Sequence, residues 1–345
     1  MKKIFLFAMM AVLAVGTLSS CSDDYEDASS PHVYSDQENV PLKGSDENMS
    51  MASVKMAQAE AGTQVVTVDL TGYADNIQKQ LGMSLDEAIS GLSNGSVRFY
   101  PINPNRRVWD KTPANGGDNT WLLSANGIVT TDSLAAIKMQ FTPDDKQLRL
   151  TLTDKAAAGI IPVTCGFVKT EESSFPINFR CQTLVNVTDA SVVDVPITVP
   201  KGDYAVAPFN FSSIAKNIEF AFGETNLYNI AKGLDTENAV YDVYIMSSTG
   251  ALLGGPGKYT ANGAGYWLNQ KIQIVNWGKD DFALFMEPFI YDDEKKDYYE
   301  NGGGFNIGRL SNSAPASGTV LPLSVVLKQS KGDKTLTINF TITFE

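Results

Sequence analysis

The chain has 345 residues, with 27 Lys and Arg against 39 Asp and Glu, and a formal charge of −12. Such a balance lacks the clustered positive charge that nucleic acid demands, and it disfavours adhesion of the protein surface to anionic lipid. The only histidine is His32, so serine–histidine, cysteine–histidine and histidine–zinc chemistries lose their usual base or ligand in the body of the chain.

The N-terminus reads Met1-Lys2-Lys3, then an apolar run from Ile4 to Leu13, then Leu18-Ser19-Ser20-Cys21. A basic start, a short apolar core and a small-residue site make residues 1–20 a secretion signal, too short to span a bilayer. Leu18 to Cys21 resembles a lipobox, at which bacterial lipoproteins are cleaved and acylated. The resemblance implies that Cys21 is the lipidation site and that the protein is lipid-anchored to a membrane. Several acyl chains, at about 0.8 kcal/mol per buried CH₂, hold a protein at a bilayer. Residues 21–62 are rich in Ser, Asp, Glu, Asn and Met without a sustained period and are expected to be a flexible acidic tether. His32 lies in it with no partner ligands and reads as a linker residue.

Val65, Val66 and Val68 begin a strand. Tyr73, Ile77 and Leu81 stand four apart, on one face of a short helix that Gly82 stops. Ser84 with Glu87 fits a capping box for a second helix with Leu85, Ala88, Ile89 and Leu92 inward, closed by Asn94-Gly95. Strands are predicted at Val97 to Ile102, Leu134 to Phe141 and Leu148 to Leu152. A long polar loop from Pro101 to Gly127 carries Arg106, Arg107, Trp109 and Trp121; loops of this length are functional or disordered. Ile160 to Val168 and Phe175 to Val185 form a hairpin. Cys165 and Cys181 are equidistant from Ser173, so a symmetrical turn sets them opposite each other within disulfide reach. A bridge and two buried free thiols both fit, and a one-residue slip separates the pair.

Val192 to Lys201, with Pro196 and Pro200, reads as a junction, after which the plan returns. Tyr73, Ile77, Leu81 and Gly82 recur at an offset of 141 as Ile214, Ile218, Phe222 and Gly223. Leu85, Ala88, Ile89, Gly91 and Leu92 recur at 142 as Leu227, Ile230, Ala231, Gly233 and Leu234. Gly117-Asp118-Asn119-Thr120-Trp121-Leu122 returns at 146 as Gly263-Ala264-Gly265-Tyr266-Trp267-Leu268, and Ile177-Asn178-Phe179 at 161 as Ile338-Asn339-Phe340. Preserved order marks an internal repeat. The second copy predicts helices near 211–222 and 226–232 and strands at Ala239 to Met246, Ile272 to Trp277 and Phe282 to Met286. An acidic insertion over Tyr291 to Asn301 follows, and Leu321 to Lys328 with Lys334 to Phe344 close the copy as a hairpin. The expected fold is mainly β: tandem domains over 63–198 and 199–345, each an antiparallel β-sandwich-like unit with a short helical pair. Layered α+β domains are the alternative.

Three chemistries stay open. Exposed rings beside amides suit a carbohydrate site, a flat apolar face for the sugar ring and polar groups for its hydroxyls. Trp109, Trp121, Tyr266, Trp267, Tyr291, Tyr298 and Tyr299 are the candidate rings; Asn119 and Asn269, with Asn262 and Gln270, are the candidate amides. Trp121 and Trp267 equally suit core positions, since both copies keep them, and Tyr266 fits either reading. A glycosidase needs only two carboxyl groups, which Asp118 and Asp292, Asp293, Glu294, Asp297 and Glu300 offer in number but not in burial. The same insertion is a calcium candidate, without the spacing of a calcium loop, or simply a solvated hairpin tip.

Ser22-Asp23-Asp24-Tyr25-Glu26-Asp27, directly after Cys21, resembles the acidic export signal of Bacteroidetes lipoproteins displayed on the outer face of the outer membrane. With the lipobox, the tether and the two-copy body, the chain resembles surface lipoproteins encoded beside glycan-import systems, and an uncharacterised two-repeat family of gut Bacteroides. That resemblance implies a non-catalytic lipoprotein binding a polysaccharide or glycoprotein glycan and working with outer-membrane transport proteins. A structural or protein-interaction lipoprotein, accessory subunit or adhesin-like, is the second reading. No catalytic residue or cofactor is assigned.

Overall fold

A computed structural model describes residues 31–235, 240–254, 265–275, 283–311 and 315–345. The signal segment, Cys21, the acidic run after it, Asn262 and Trp277 lie outside the described residues.

The first half of the chain gives β1 (Val40–Pro41), β2 (Ser50–Ala57), β3 (Val65–Asp69), α1 (Ala74–Leu81), α2 (Leu85–Asn94), β4 (Val97–Asn103) and β5 (Val108–Trp109). It continues with β6 (Thr120–Leu123), β7 (Ile137–Thr142), β8 (Gln147–Leu152), β9 (Gly159–Lys169) and β10 (Asn178–Thr188). The second half gives β11 (Val192–Val199), β12 (Val206–Asn210), α3 (Ala215–Phe222), α4 (Leu227–Leu234), β13 (Tyr241–Met246), β14 (Leu252–Gly254), β15 (Tyr266–Leu268) and β16 (Leu284–Phe289). After these come β17 (Tyr291–Asp292), β18 (Asp297–Tyr298), β19 (Gly304–Arg309), β20 (Val320–Gln329) and β21 (Thr335–Phe344).

The helices form where the sequence calls for them. Ser84 accepts from the Glu87 amide while the Glu87 carboxylate accepts from the Ser84 amide, a complete capping box. Gly82 and Gly223, with φ of +69° and +74°, end α1 and α3 in the left-handed conformation that glycine adopts without strain.

The halves share one strand order. Strands β3-β8-β7-β6 make one sheet and β12-β19-β16-β15 its counterpart; β5-β4-β9-β10-β2, with β1 added beyond β5, corresponds to β14-β13-β20-β21-β11. In the second half β11 runs parallel to β21, and β12–β19, β13–β14, β13–β20, β15–β16, β16–β19 and β20–β21 are antiparallel. By contacts the described residues divide into two compact units: one holds residues 31–50 with Leu70–Pro113 and Thr164–Gln182, the other the described residues within 51–69, 114–163 and 183–345. Inside the second unit, one core joins Phe209, Met286, Phe305 and Ile307 of one second-half sheet to Val243, Val325, Phe340 and Ile342 of the other, with Ile218, Phe222 and Ile230 from the helices. That interleaving of two sheets is a sandwich.

Two stretches depart from expectation. Residues 31–62 are not simply tether, because they contribute β1 and β2. The alternation of β2 is hidden in a Ser- and Lys-bearing segment at a sheet edge, where little of it is buried. Val192 to Val199 is likewise strand and not linker, its Pro196 opposite Thr341 of β21. Proline is tolerated there because β11 is an edge strand.

Candidate functional site

The repeated tryptophans prove to be out of step by one residue. Leu123 bridges Val129 and Leu268 bridges Ile274, while Thr130 donates to the Leu122 carbonyl and Val275 to that of Trp267. Trp121 therefore occupies the place of Tyr266, and Leu122 that of Trp267. A slip of one residue in a strand reverses the face. Trp121 and Tyr266 are 7% and 2% exposed, and the Tyr266 hydroxyl donates to the Val243 carbonyl; both are core residues. Trp267, between two buried neighbours, is half-buried.

Trp109 overturns the expectation of a surface ring. It is fully buried on β5, packed with Val40, Ile102, Val168 and Phe175 under the N-terminal segment. That segment is fastened by charge. Asp46 accepts from Arg107 and Arg180, each at 2.7 Å, and the Arg107 guanidinium holds its carboxyl below the ordinary carboxylate range, against a smaller upward push from burial. Lys111 adds a backbone bond to the Asn39 side chain and an ammonium bond to the Ser35 carbonyl. His32, in the same segment, pairs with Glu38 at 2.9 Å.

The amide candidates divide. Asn269 is buried, and its side-chain oxygen accepts from the Lys271 and Gln273 amides, which shapes the turn after β15 and removes it from a ligand role. Asn119 is exposed at a turn, with φ of +49°, in the left-handed region that asparagine tolerates better than most residues. Gln270 is exposed as well.

The acidic insertion folds as the small hairpin β17–β18, with Tyr291 opposite Tyr298 and their rings edge to face at 5.5 Å. Tyr298 donates to Asp235 at 2.7 Å, Tyr228 donates to Asp297 at 2.8 Å, and the two rings meet edge to face at 5.9 Å. Tyr299 packs edge-on against Phe289. Tyr291, Tyr298 and Tyr299 are each half-buried, so these are the rings that structure brings together. Sequence reasoning missed Tyr228, which lies on a helix and gave no loop signal.

The carboxylates show little of a hydrolytic site. The Tyr228 hydroxyl holds Asp297 below its usual range, the wrong direction for a general acid. Asp292 turns inward to accept from the Glu294 and Lys295 amides, and Asp118, Asp293, Glu294 and Glu300 are exposed. Burial pushes the Glu287 carboxyl up on β16. Among the described residues, no group of three or more His, Cys, Asp or Glu could hold a metal ion. Cys165 and Cys181 do meet across β9 and β10 as buried free thiols, hydrogen-bonded with their sulfurs 3.7 Å apart; the hydrogen bond to Cys181 and burial push the Cys165 thiol well up.

The chain matches no protein-family model and no curated protein. Among solved structures it is similar to SporoSAG of Toxoplasma gondii over 85% of this chain and 97% of that one, at 11% identity and a TM-score of 0.22. It is similar to a teleost fish polymeric Ig receptor ectodomain over 86% and 97%, at 10% identity and a TM-score of 0.26. An endo-fucoidan hydrolase of glycoside hydrolase family 107 covers 89% of this chain and 30% of its own, at 8% identity and a TM-score of 0.18. Likenesses of this depth carry no argument about function.

Proposed function

We propose that the chain is a non-catalytic surface lipoprotein of two tandem sandwich domains, anchored through Cys21, that works by contacting other proteins. The observation that carries this is the inward turn of the candidate site: Trp109, Trp121, Tyr266 and Asn269 are each 7% exposed or less. An aromatic platform for a sugar needs open ring faces, and those positions offer none. Strand edges remain at the surface, and an extended segment of another protein can pair with an edge, whereas exposed apolar side chains such as Leu134, Ile160 and Val320 are scattered singly, as on most protein surfaces. The display signal after Cys21 adds the outer face of a Bacteroidetes outer membrane as the location and transport proteins there as the partner class. No described helix is long and apolar enough to cross a membrane.

A carbohydrate reading finds its candidate rings gathered among the described residues at the Tyr291–Tyr298 hairpin, where half-buried rings stand beside Asp292. A glycan array with intrinsic fluorescence decides between them. No response from any glycan, together with cross-linking to an outer-membrane protein on intact cells, is expected. A saturable glycan response that Tyr291→Ala abolishes would replace the protein-contact reading.

A further inference from the structure

The two halves differ at one matching edge. Val97 faces Gly91 and pairs with Lys169; Tyr241 faces Gly233 and pairs with Gln329. Counting along β4 and β13 from these equivalent residues, Ile102 corresponds to Met246, and their partners Trp109 and Leu252 correspond in turn. Asp110 donates to Pro101 at 2.9 Å, and Ser247 donates to Ala251 at 2.8 Å. Bonded and non-bonded pairs alternate in an antiparallel ladder, so the backbone N–H and C=O of Trp109 and of Leu252 both point away from the sheet.

In the first half those groups are met. Val40 lies opposite Trp109, Leu42 donates to Arg107 at 2.8 Å, and both Val40 and Trp109 are fully buried. Pro41 sits at a non-bonded position, where its missing N–H takes nothing from the ladder and leaves the new outer edge short of a donor. In the second half, β14 ends its sheet among the described residues and Leu252 is 40% exposed. The stretch that would correspond to 31–49 is missing before β11, since β10 ends at Thr188 and β11 starts at Val192.

Resting on the protein-contact reading above, we infer that the β14 edge is the contact surface and takes an extended segment of a partner polypeptide. That segment has the chemistry of Asn39-Val40-Pro41-Leu42: a β-branched residue opposite Leu252, then proline. Main-chain bonds supply the pairing, and the β-branched side chain covers Leu252. The fold accepts a strand of that kind at the equivalent place in its first half, and β14 has no proline to blunt it.

The test is amide hydrogen exchange on the full mature chain with a synthetic peptide of the sequence of residues 36–45 at millimolar concentration. The Leu252 and Gly254 amides should slow at least tenfold while the Trp109 amide is unchanged. A peptide carrying Val40→Pro, which cannot donate at that position, should give no protection, and the folded Leu252→Pro protein should lose the effect of the native peptide. Leu252 already fully protected without peptide, as it would be under residues 255–264 or a second copy, overturns the inference. So does equal protection by the Val40→Pro peptide, or no protection by either. Those failures leave the protein-contact reading standing, whereas a glycan response retires that reading by itself.

Discussion

Trp109 and Tyr291 were equal candidates as surface rings, and their surroundings give them opposite costs of removal. Truncating a large side chain sealed among Val40, Ile102 and Phe175 leaves a cavity, so Trp109→Ala should cost about 3–5 kcal/mol in urea unfolding. Tyr291→Ala, at a half-exposed hairpin, should cost roughly 1 kcal/mol or less. Equal losses would mean that the N-terminal segment does not cover Trp109 in solution. Asp46 sets how firmly that cover is held. Its folded pKa is depressed, so the stabilisation is complete above the unfolded carboxylate value, near 3.9, and is lost as pH falls through the lower folded value. Asp46 is two-fifths exposed, which discounts the pair to about 1 kcal/mol, even though Arg180 is only 8% exposed. Asp46→Asn should therefore raise tryptophan accessibility to acrylamide at pH 7 and flatten its rise below about pH 4. A variant that quenches like the native protein at both pH values would refute the charge fastening.

Between α2 and β4, and again between α4 and β13, a glycine lets helix and strand approach closely. A Cβ built on Gly91 would lie 2.7 Å from a Val97 methyl, and one on Gly233 would lie 2.8 Å from the Tyr241 ring. Gly91→Ala and Gly233→Ala should each destabilise by about 1–3 kcal/mol through overpacking, although alanine favours a helix, with far-UV circular dichroism retained. A gain in stability at either site would show that the neighbour yields freely. These elements were legible in the sequence because their signals are local: a four-residue apolar spacing, a capping box, a stopping glycine. Edge strands were not, since β2 and β11 bury few side chains and Pro196 reads as a breaker until its partner strand is known. The tryptophan motif misled for a related reason. Gly-three-residues-Trp-Leu aligns letters, whereas the bonds to Leu122 and Trp267 align faces, and a strand's register is fixed by its neighbours. Trp109 was misread because its cover comes from a segment distant in sequence whose composition looks like tether.

The proposed export and acyl anchoring bear on the thiol pair at the scale of the whole molecule. Strands β9 and β10 place Cys165 and Cys181 side by side, which a symmetrical hairpin about Ser173 had anticipated, and both are kept from solvent. Buried thiols react slowly once folded, so the redox state of the pair records the compartment in which β9 and β10 came together. A chain made with its leader and exported should fold in an oxidising setting and carry the pair as a disulfide, two hydrogens lighter. A chain made in the cytosol from residue 22 onward should keep two thiols that a disulfide reagent reaches only in urea. A cross-link closing this hairpin adds about 3 kcal/mol, so the exported form should be the more stable and should lose that increment on reduction in denaturant. Cys21→Ser in the same exported chain should move it from the membrane fraction to the soluble one without touching the bridge, because acyl chain and hairpin are independent. Free thiols in the exported protein would leave the pair as plain core packing, and a Cys21→Ser chain still held at the membrane would remove the acyl anchor from the account.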